Sequence, residues 1–429
     1  MWWKGIFMRK SLLNLILLLV LLITTGCAIG QLGHYDKENT EESKDPIEEP
    51  VEVPDSIVDQ INSMSLAEKI GQMVIVGIDG LEADQNTLEM IEKYHVGGFI
   101  FFKRNIEDIN QAQKLLNAIK EVNKKENNIP LFLSIDEEGG KITRMPQDFR
   151  RLPTNERIGL VNDADLSHQV GRILGEELNI FGFNMDFAPV LDVNSNPQNP
   201  VIGERAFGAD PALVSKLGLA TMKGLKEENI ISVVKHFPGH GDTAVDSHIG
   251  LPKVEHDLKR LESFELEPFN KAIQNDVDGI MIAHILLPQI DQNHPATLSK
   301  TIITDILRDQ MKYTGVVITD DMTMGAITKN YEIGEAAIQS IKAGSDIILV
   351  CHEYKNQIRV INALTDAVKR GEISLDRVDE SVYRILKLKD KYGLSDMKVE
   401  PITDQEQKNK IQGINYKIND ILEITNNVG

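Results

Sequence analysis

Only two cysteines, Cys27 and Cys351, occur in 429 residues, so no disulfide framework holds this chain together. Basic residues are outnumbered, 46 Lys and Arg against 65 Asp and Glu, for a formal net charge of -19. That balance argues against phosphate backbones and against an electrostatic hold on anionic lipid, so no nucleic-acid partner is expected. There is no G-x-G-x-x-G after the first apolar run, which disfavours a dinucleotide-binding open sheet. There is no H-x-H at that run's end either; Ile78-Asp79-Gly80 stands there. Long apolar stretches are missing too. The run over residues 12–23, interrupted only by Asn14, is too short for a comfortable membrane span.

What that run does fit is a leader. Lys4, Arg9 and Lys10 precede it, and Thr24-Thr25-Gly26-Cys27 follows. This resembles a bacterial lipoprotein signal, in which the cysteine is lipidated and becomes the new N-terminus; Thr24 stands where Leu is preferred. Met8 is an alternative start, and an uncleaved anchor is the alternative reading of the segment. The expectation is a signal over residues 1–27 with lipidation at Cys27 and an acidic flexible tether over 28–55. A catalytic body follows over 56–395 and a C-terminal tail over 396–429. The tether is polar and proline-bearing, with too little apolar content to pack. The body is therefore expected to hang from the outer face of a cell membrane.

From residue 57 onward short apolar runs alternate with amphipathic helical patterns. Strands are expected at 73–78, 98–102, 131–135, 184–189, 232–235, 279–283, 316–319 and 347–350. Helical periodicity covers 166–181, 211–227, 258–273, 335–343 and 374–392, and recurs at Ile109, Ala112, Leu116 and Ile119. The last helix should be capped by Ser374 and bury Leu375, Val378, Val382 and Ile385. Eight strand–helix alternations in one body predict an α/β fold, a single (β/α)8 TIM-type barrel. Cys351, after the eighth run, is then a buried small hydrophobe. With 41% hydrophobic residues the core is ample.

A barrel keeps its chemistry at the C-terminal ends of its strands. Polar clusters fall there: Asp136-Glu-Glu-Gly-Gly140 with Arg144, Asp192-Val-Asn194, Gly203-Glu-Arg-Ala-Phe-Gly208, Lys235 and His236, His284, and Asp320-Asp321. The stretch from Lys235 to His248 is the densest. Pro238, Gly239 and Gly241 stop regular structure, leaving a loop with three histidines and two aspartates. An isolated Asp-x-His is more often a loop tie than a working pair. At a barrel mouth, however, His248 can hold a proton near neutrality for a leaving group, with Asp246 orienting its ring. Asp320 can be the carboxylate nucleophile of a retaining glycosidase, while Asp321 is satisfied structurally.

These motifs resemble glycoside hydrolase family 3, in its β-N-acetylglucosaminidase branch. Asp136-Glu-Glu-Gly-Gly140, Gly203-Glu-Arg-Ala-Phe-Gly208, Lys235-His-Phe-Pro-Gly-His-Gly-Asp-Thr243, Asp246-Ser-His248 and Gly315-Val-Val-Ile-Thr-Asp-Asp-Met322 run in family order. The resemblance implies removal of terminal, non-reducing β-linked N-acetylglucosamine. It assigns Asp320 as nucleophile, His248 as acid/base and Asp246 as its partner, and it gives sugar binding to Asp136, Arg144, Arg205, Lys235 and His236. Glu137 departs from the family pattern, which has Gln there. The family's β-glucosidases take their acid from a second domain, for which the residues after 395 are too few.

No metal or cofactor is required by this reading, and a monomer is expected. Family and location together point to muropeptides and other peptidoglycan fragments as substrate. Three alternatives stay open. One is a phosphorylase of the same glycosides. Another is a metal-dependent hydrolase using His236, His240, Asp242 and His248. The third is a wall-binding lipoprotein without turnover.

Overall fold

The structure, a computed structural model, describes residues 55–428. The expected leader, Cys27 and all of the tether but Asp55 lie outside the described residues. Among the described residues no helix is long and apolar enough to cross a membrane.

Eight short strands form in chain order: β1 Val74–Gly77, β2 Gly98–Phe101, β3 Phe132–Ile135, β4 Met185–Asp186, β5 Ile231–Phe237, β6 Gly279–Ile282, β7 Val316–Thr319 and β8 Ile348–Val350. Every residue in them is buried. Parallel strands covered on both faces need continuous apolar runs, which is why they were visible in the sequence. Each pairs in parallel with its neighbours, and β1 pairs with β8. A parallel bridge between Ile318 and Ile347 joins the seventh strand to the eighth and closes the barrel. All eight expected strands are present. β4 is shorter than the expected 184–189, because Pro189 has no N–H to give to the ladder.

The helices form the outer ring, most with the caps their sequences supply. Asp108 caps Ile109–Glu126, Asp163 caps Ala164–Phe181, and Asp210, followed by Pro211, caps Pro211–Glu227. Ser374 caps Leu375–Lys391 as expected, and Val378, Val382 and Ile385 of that helix are buried. Leu375 is not; as the first residue of the helix it is 54% exposed. A second correction concerns 258–273. The apolar period runs through it, but the chain breaks into Leu258–Ser263 and Glu267–Gln274. Pro268 belongs in the first turn of a new helix and enforces that restart.

The segment after residue 395 is ordered against the barrel. Thr403 and Glu406 make a reciprocal capping box at the start of the helix Asp404–Asn426. Ile411, Ile414, Ile418 and Ile421, at alternating three- and four-residue spacing, bury one face on Asn155–Val161 and Ala164–Phe181. Asn415 Oδ1 accepts from the Arg150 backbone N–H at 2.6 Å, tying this helix to the loop after β3.

Candidate active site

At the C-terminal ends of the strands lies a cavity of about 330 Å³, lined by Asp136, Arg144, Lys235, His248 and Asp320 among others. A larger hollow of about 740 Å³ opens at the other end, beside Tyr313, Tyr383 and the residues that lead into β6 and β7. Barrel chemistry does not sit at that end, so the smaller cavity is the candidate.

Its floor is a buried charge network. β5 is bulged against β6: Val234 faces Ile280 and Phe237 faces Ile282, so Lys235 and His236 together oppose Met281. The irregularity aims both side chains at the mouth. Lys235 Nζ lies 2.7 Å from Asp136 Oδ1 and 2.7 Å from Glu138 Oε1. Arg205 grips Glu138 with two parallel bonds of 2.9 and 2.7 Å. Arg144 stands 3.7 Å from Asp136. Burial would push the Glu138 carboxyl up, but Arg205 and Lys235 outweigh it and hold it well below the usual range. Burial would equally lower Lys235, yet Asp136 and Glu138 keep its ammonium above its ordinary value. Glu138 and Lys235 are thus both held in their charged forms, and Asp136, Arg144 and Arg205 line the cavity with them. Glu138 was not singled out from the sequence, although it stands within the Asp136–Gly140 motif.

His236 and the following loop hang from Asp192, which the sequence placed in a polar cluster at a strand end without giving it a role. Asp192 Oδ2 accepts from His236 Nδ1 at 2.7 Å, and its Oδ1 accepts from the backbone N–H of His240 at 2.6 Å. His240 is buried; burial, then the neighbouring His236, pushes it down to about 4, so it is neutral. It bonds Thr243 at 2.7 Å and Ser247 at 3.2 Å, which fixes the tripeptide Asp246–His248 from behind. The loop passes so close to its neighbours that two positions need glycine. A Cβ on Gly241 would lie 1.8 Å from the Val193 carbonyl, and one on Gly325 would lie 2.5 Å from the His248 carbonyl.

Asp246 and His248 form the expected pair. Nδ1 of His248 lies 2.8 Å from Asp246 Oδ1, which also accepts the His248 backbone N–H at 2.8 Å. With Nδ1 engaged by a carboxylate, Nε2 is left for a substrate. The His248 side chain is 67% exposed, at the cavity's open side. Burial opposes the Asp246 carboxylate, but its bonds to His248 prevail and keep it below its ordinary value.

The two aspartates after β7 divide as expected. Asp321 accepts from the backbone N–H groups of Thr323 at 2.9 Å and Cys351 at 3.0 Å, so its carboxylate is used structurally. Among the described residues Asp320 has one protein donor, the Asp321 N–H at 2.8 Å, and it lines the cavity. Burial would raise it; His284 and His236 pull it the other way, and it stays below its ordinary value. His284 is buried between Thr297 and the Asp321 carbonyl, so it supports from beneath.

The four residues of the metal alternative do not converge. His236 turns to Asp192, His240 to Thr243 and Ser247, Asp242 to His256 at 2.9 Å, and His248 to Asp246. Among the described residues no group of three or more potential ligands has metal-binding geometry. Cys351 is buried beneath the mouth, as expected of a small apolar side chain.

Comparison with known proteins identifies the family. The glycosyl hydrolase family 3 N-terminal domain matches residues 65–388. Beta-hexosaminidase A of Pseudoalteromonas piscicida is 37% identical over 326 residues, 71% of this chain but 54% of that protein, so the chain spans about half its length. A beta-hexosaminidase of Idiomarina loihiensis is 33% identical over 294 residues, 68% of this chain and 87% of the relative. Among solved structures, a family 3 β-N-acetylglucosaminidase from Paenibacillus sp. FPU-7 superposes with a TM-score of 0.77 at 41% identity, covering 83% of this chain and 69% of that one. With the closed eight-stranded barrel and a domain match over most of its length, the chain belongs to glycosyl hydrolase family 3.

Proposed function

We propose that the protein is a retaining exo-β-N-acetylglucosaminidase acting on cell-wall glycan fragments, muropeptides among them. The observation that carries this reading is that Asp320 and His248, the latter paired to Asp246, line one cavity above the charged floor of Lys235, Asp136 and Glu138. The names of the relatives, β-hexosaminidase and β-N-acetylglucosaminidase, support the same class of glycoside.

The steps follow from the groups present. Asp320, kept ionised, attacks the anomeric carbon while His248 gives its Nε2 proton to the departing glycosidic oxygen. The C–O bond breaks and a glycosyl ester forms on Asp320. His248, now neutral, takes a proton from water, which displaces Asp320 from the opposite face, so the configuration is retained. Asp246 stabilises the imidazolium and holds Nε2 toward the leaving group. Lys235, Arg144 and Arg205, with Asp136 and His236, hold the sugar by charge-assisted bonds.

The leader sequence supports a lipid anchor at Cys27 on the extracytoplasmic face, where peptidoglycan fragments are at hand. Cys27→Ala should release the protein from membranes with its turnover intact; a variant that stays membrane-bound removes the anchor from this reading.

Paired aryl β-N-acetylglucosaminide and β-glucoside substrates test the activity, with and without chelator and phosphate. Strong preference for the former, indifferent to chelator, is the expected result. No release from either substrate overturns it. A histidine acid repels incoming phosphate less than a carboxylate does, so a phosphate-dependent product would convert the reading to phosphorolysis.

A further inference from the structure

The segment after β7 that carries Asp320 is tied down along its length. The Asp320 N–H donates to the Ile282 carbonyl at 3.0 Å, the Met322 N–H to the Leu349 carbonyl at 2.9 Å, and the Met324 N–H to the Asp321 carbonyl at 3.0 Å. β6, β8 and the Asp321 carboxylate thus fix the backbone from 320 to 324. The short helix Gly325–Thr328 follows at once, with Gly325 and Ala326 buried.

The tripeptide Asp246–His248 is fixed from behind by His240; its other side rests on this helix. Val245 and Ile249, which flank it, are 45% and 65% exposed, so apolar burial does little to hold it. Polar contacts supply the hold. A backbone N–H in the first turn of a helix has no partner within the helix. That of Ala326 donates to the Ser247 carbonyl at 3.0 Å. The Lys329 ammonium, just past the last turn, donates to the Ile249 carbonyl at 2.7 Å. Between these two bonds the His248 carbonyl lies against Gly325. A Cβ there would stand 2.5 Å from the His248 carbonyl oxygen and 3.2 Å from that of Ile249. Both obstacles are main chain, so neither can swing aside. The φ of Gly325 is not left-handed, so the glycine is needed for the close approach and not for its backbone angles.

We infer that the segment carrying the nucleophile also seats the acid: Gly325, Ala326 and Lys329 hold the His248 loop in fixed relation to Asp320, with Gly325 and Lys329 as positioning residues for His248. This rests on the exo-glycosidase reading and deepens it. Proton transfer to the glycosidic oxygen needs His248 within hydrogen-bond reach, and a misplacement of about 1 Å costs about 10²-fold. Attack by Asp320 needs little such help when the leaving group departs readily. A fault in the seat therefore shows where acid assistance counts and not elsewhere.

The test takes two β-N-acetylglucosaminides, one with a dinitrophenyl leaving group and one with a second N-acetylglucosamine, and compares kcat/KM, which leaves out hydrolysis of the covalent intermediate. In Gly325→Ala the disaccharide should lose about 10²-fold and the dinitrophenyl glycoside less than about threefold. Lys329→Met removes one charge-assisted bond and should widen the gap between the substrates by about fivefold; Lys329→Arg, which keeps a cationic donor, should narrow it again. Lys329 is exposed, so its variants decide the matter where Gly325→Ala fails to fold. Equal losses on both substrates, as a general loosening of the mouth would give, overturn the inference, and so does a ratio unchanged in both variants. If the unaltered protein releases neither leaving group, the glycosidase reading fails and takes this one with it.

Discussion

One oxygen of Asp246 serves His248 twice, accepting both its backbone N–H and its ring Nδ1 at 2.8 Å. The carboxylate therefore sets the turn and the imidazole orientation together. Ring rotation gives up the Nδ1 bond, while the backbone bond to the same oxygen keeps the carboxylate in place.

The first expected consequence separates leaving groups. His248→Ala should depress kcat for poor alkyl or sugar leaving groups by about 10²–10⁴-fold, and should hurt activated aryl glycosides far less. Asp246→Asn should show the same pattern in weaker form. Steady-state kinetics on a series of leaving groups checks both; equal loss across the series would remove His248 from the acid role.

Asp320→Asn should abolish glycosyl transfer for every leaving group, because no covalent ester can form. Binding should survive, since the floor of Lys235, Glu138 and Arg205 does not use Asp320. Calorimetric titration with N-acetylglucosamine is the measurement. Retained turnover at more than a trace level would move the nucleophile elsewhere.

Glu137 gives a pH-dependent prediction. Its Oε2 accepts the Arg144 backbone N–H at 2.6 Å and the Arg144 charge attracts it, but burial outweighs both and pushes it up to about 7. Asp186 and Glu177, buried beside it, are pushed up by the same cause. An acid with a raised folded pKa is protonated in the fold and ionised in the unfolded chain between the two values. Stability from this group is thus fully present below about 4.5 and is lost as pH rises to about 7. Glu137→Gln removes that loss, by up to about 3 kcal/mol. Urea unfolding of both proteins at pH 5 and pH 8 should show the Gln form gaining on the parent only at the higher pH. An identical gap at both would contradict the protonated state.

At the opposite end of the barrel, Asp346 is fully buried among Arg308 at 2.5 Å, Arg384 at 3.1 Å and Arg377 at 3.7 Å. Asp346→Ala strands three guanidinium groups and should cost about 3–5 kcal/mol, with no change in KM for the folded fraction. Chemical denaturation with parallel kinetics distinguishes this from an effect on the site.

Strand positions were legible because each is an apolar run bounded by turns, and the site residues because they follow those runs. Glu138 and Asp192 were harder to see, since their significance lies in partners far along the chain: Arg205 and Lys235 for one, His236 and His240 for the other. A carboxylate in a polar loop looks solvated until such partners are located. The split at 258–273 was legible in principle through Pro268; the continuous apolar period masked it. The helix Asp404–Asn426 shows the reverse case. Its four buried isoleucines are diluted by polar residues, so its composition looks unstructured while their spacing is that of one buried stripe.

The described chain starts beside Tyr383, whose hydroxyl donates to Asp55 at 2.9 Å, at the end of the barrel that bears the 740 Å³ hollow. The catalytic mouth opens at the other end. A contact made at Asp55 and Tyr383 therefore leaves the mouth unobstructed, and Asp320 is reached from the far side of the barrel.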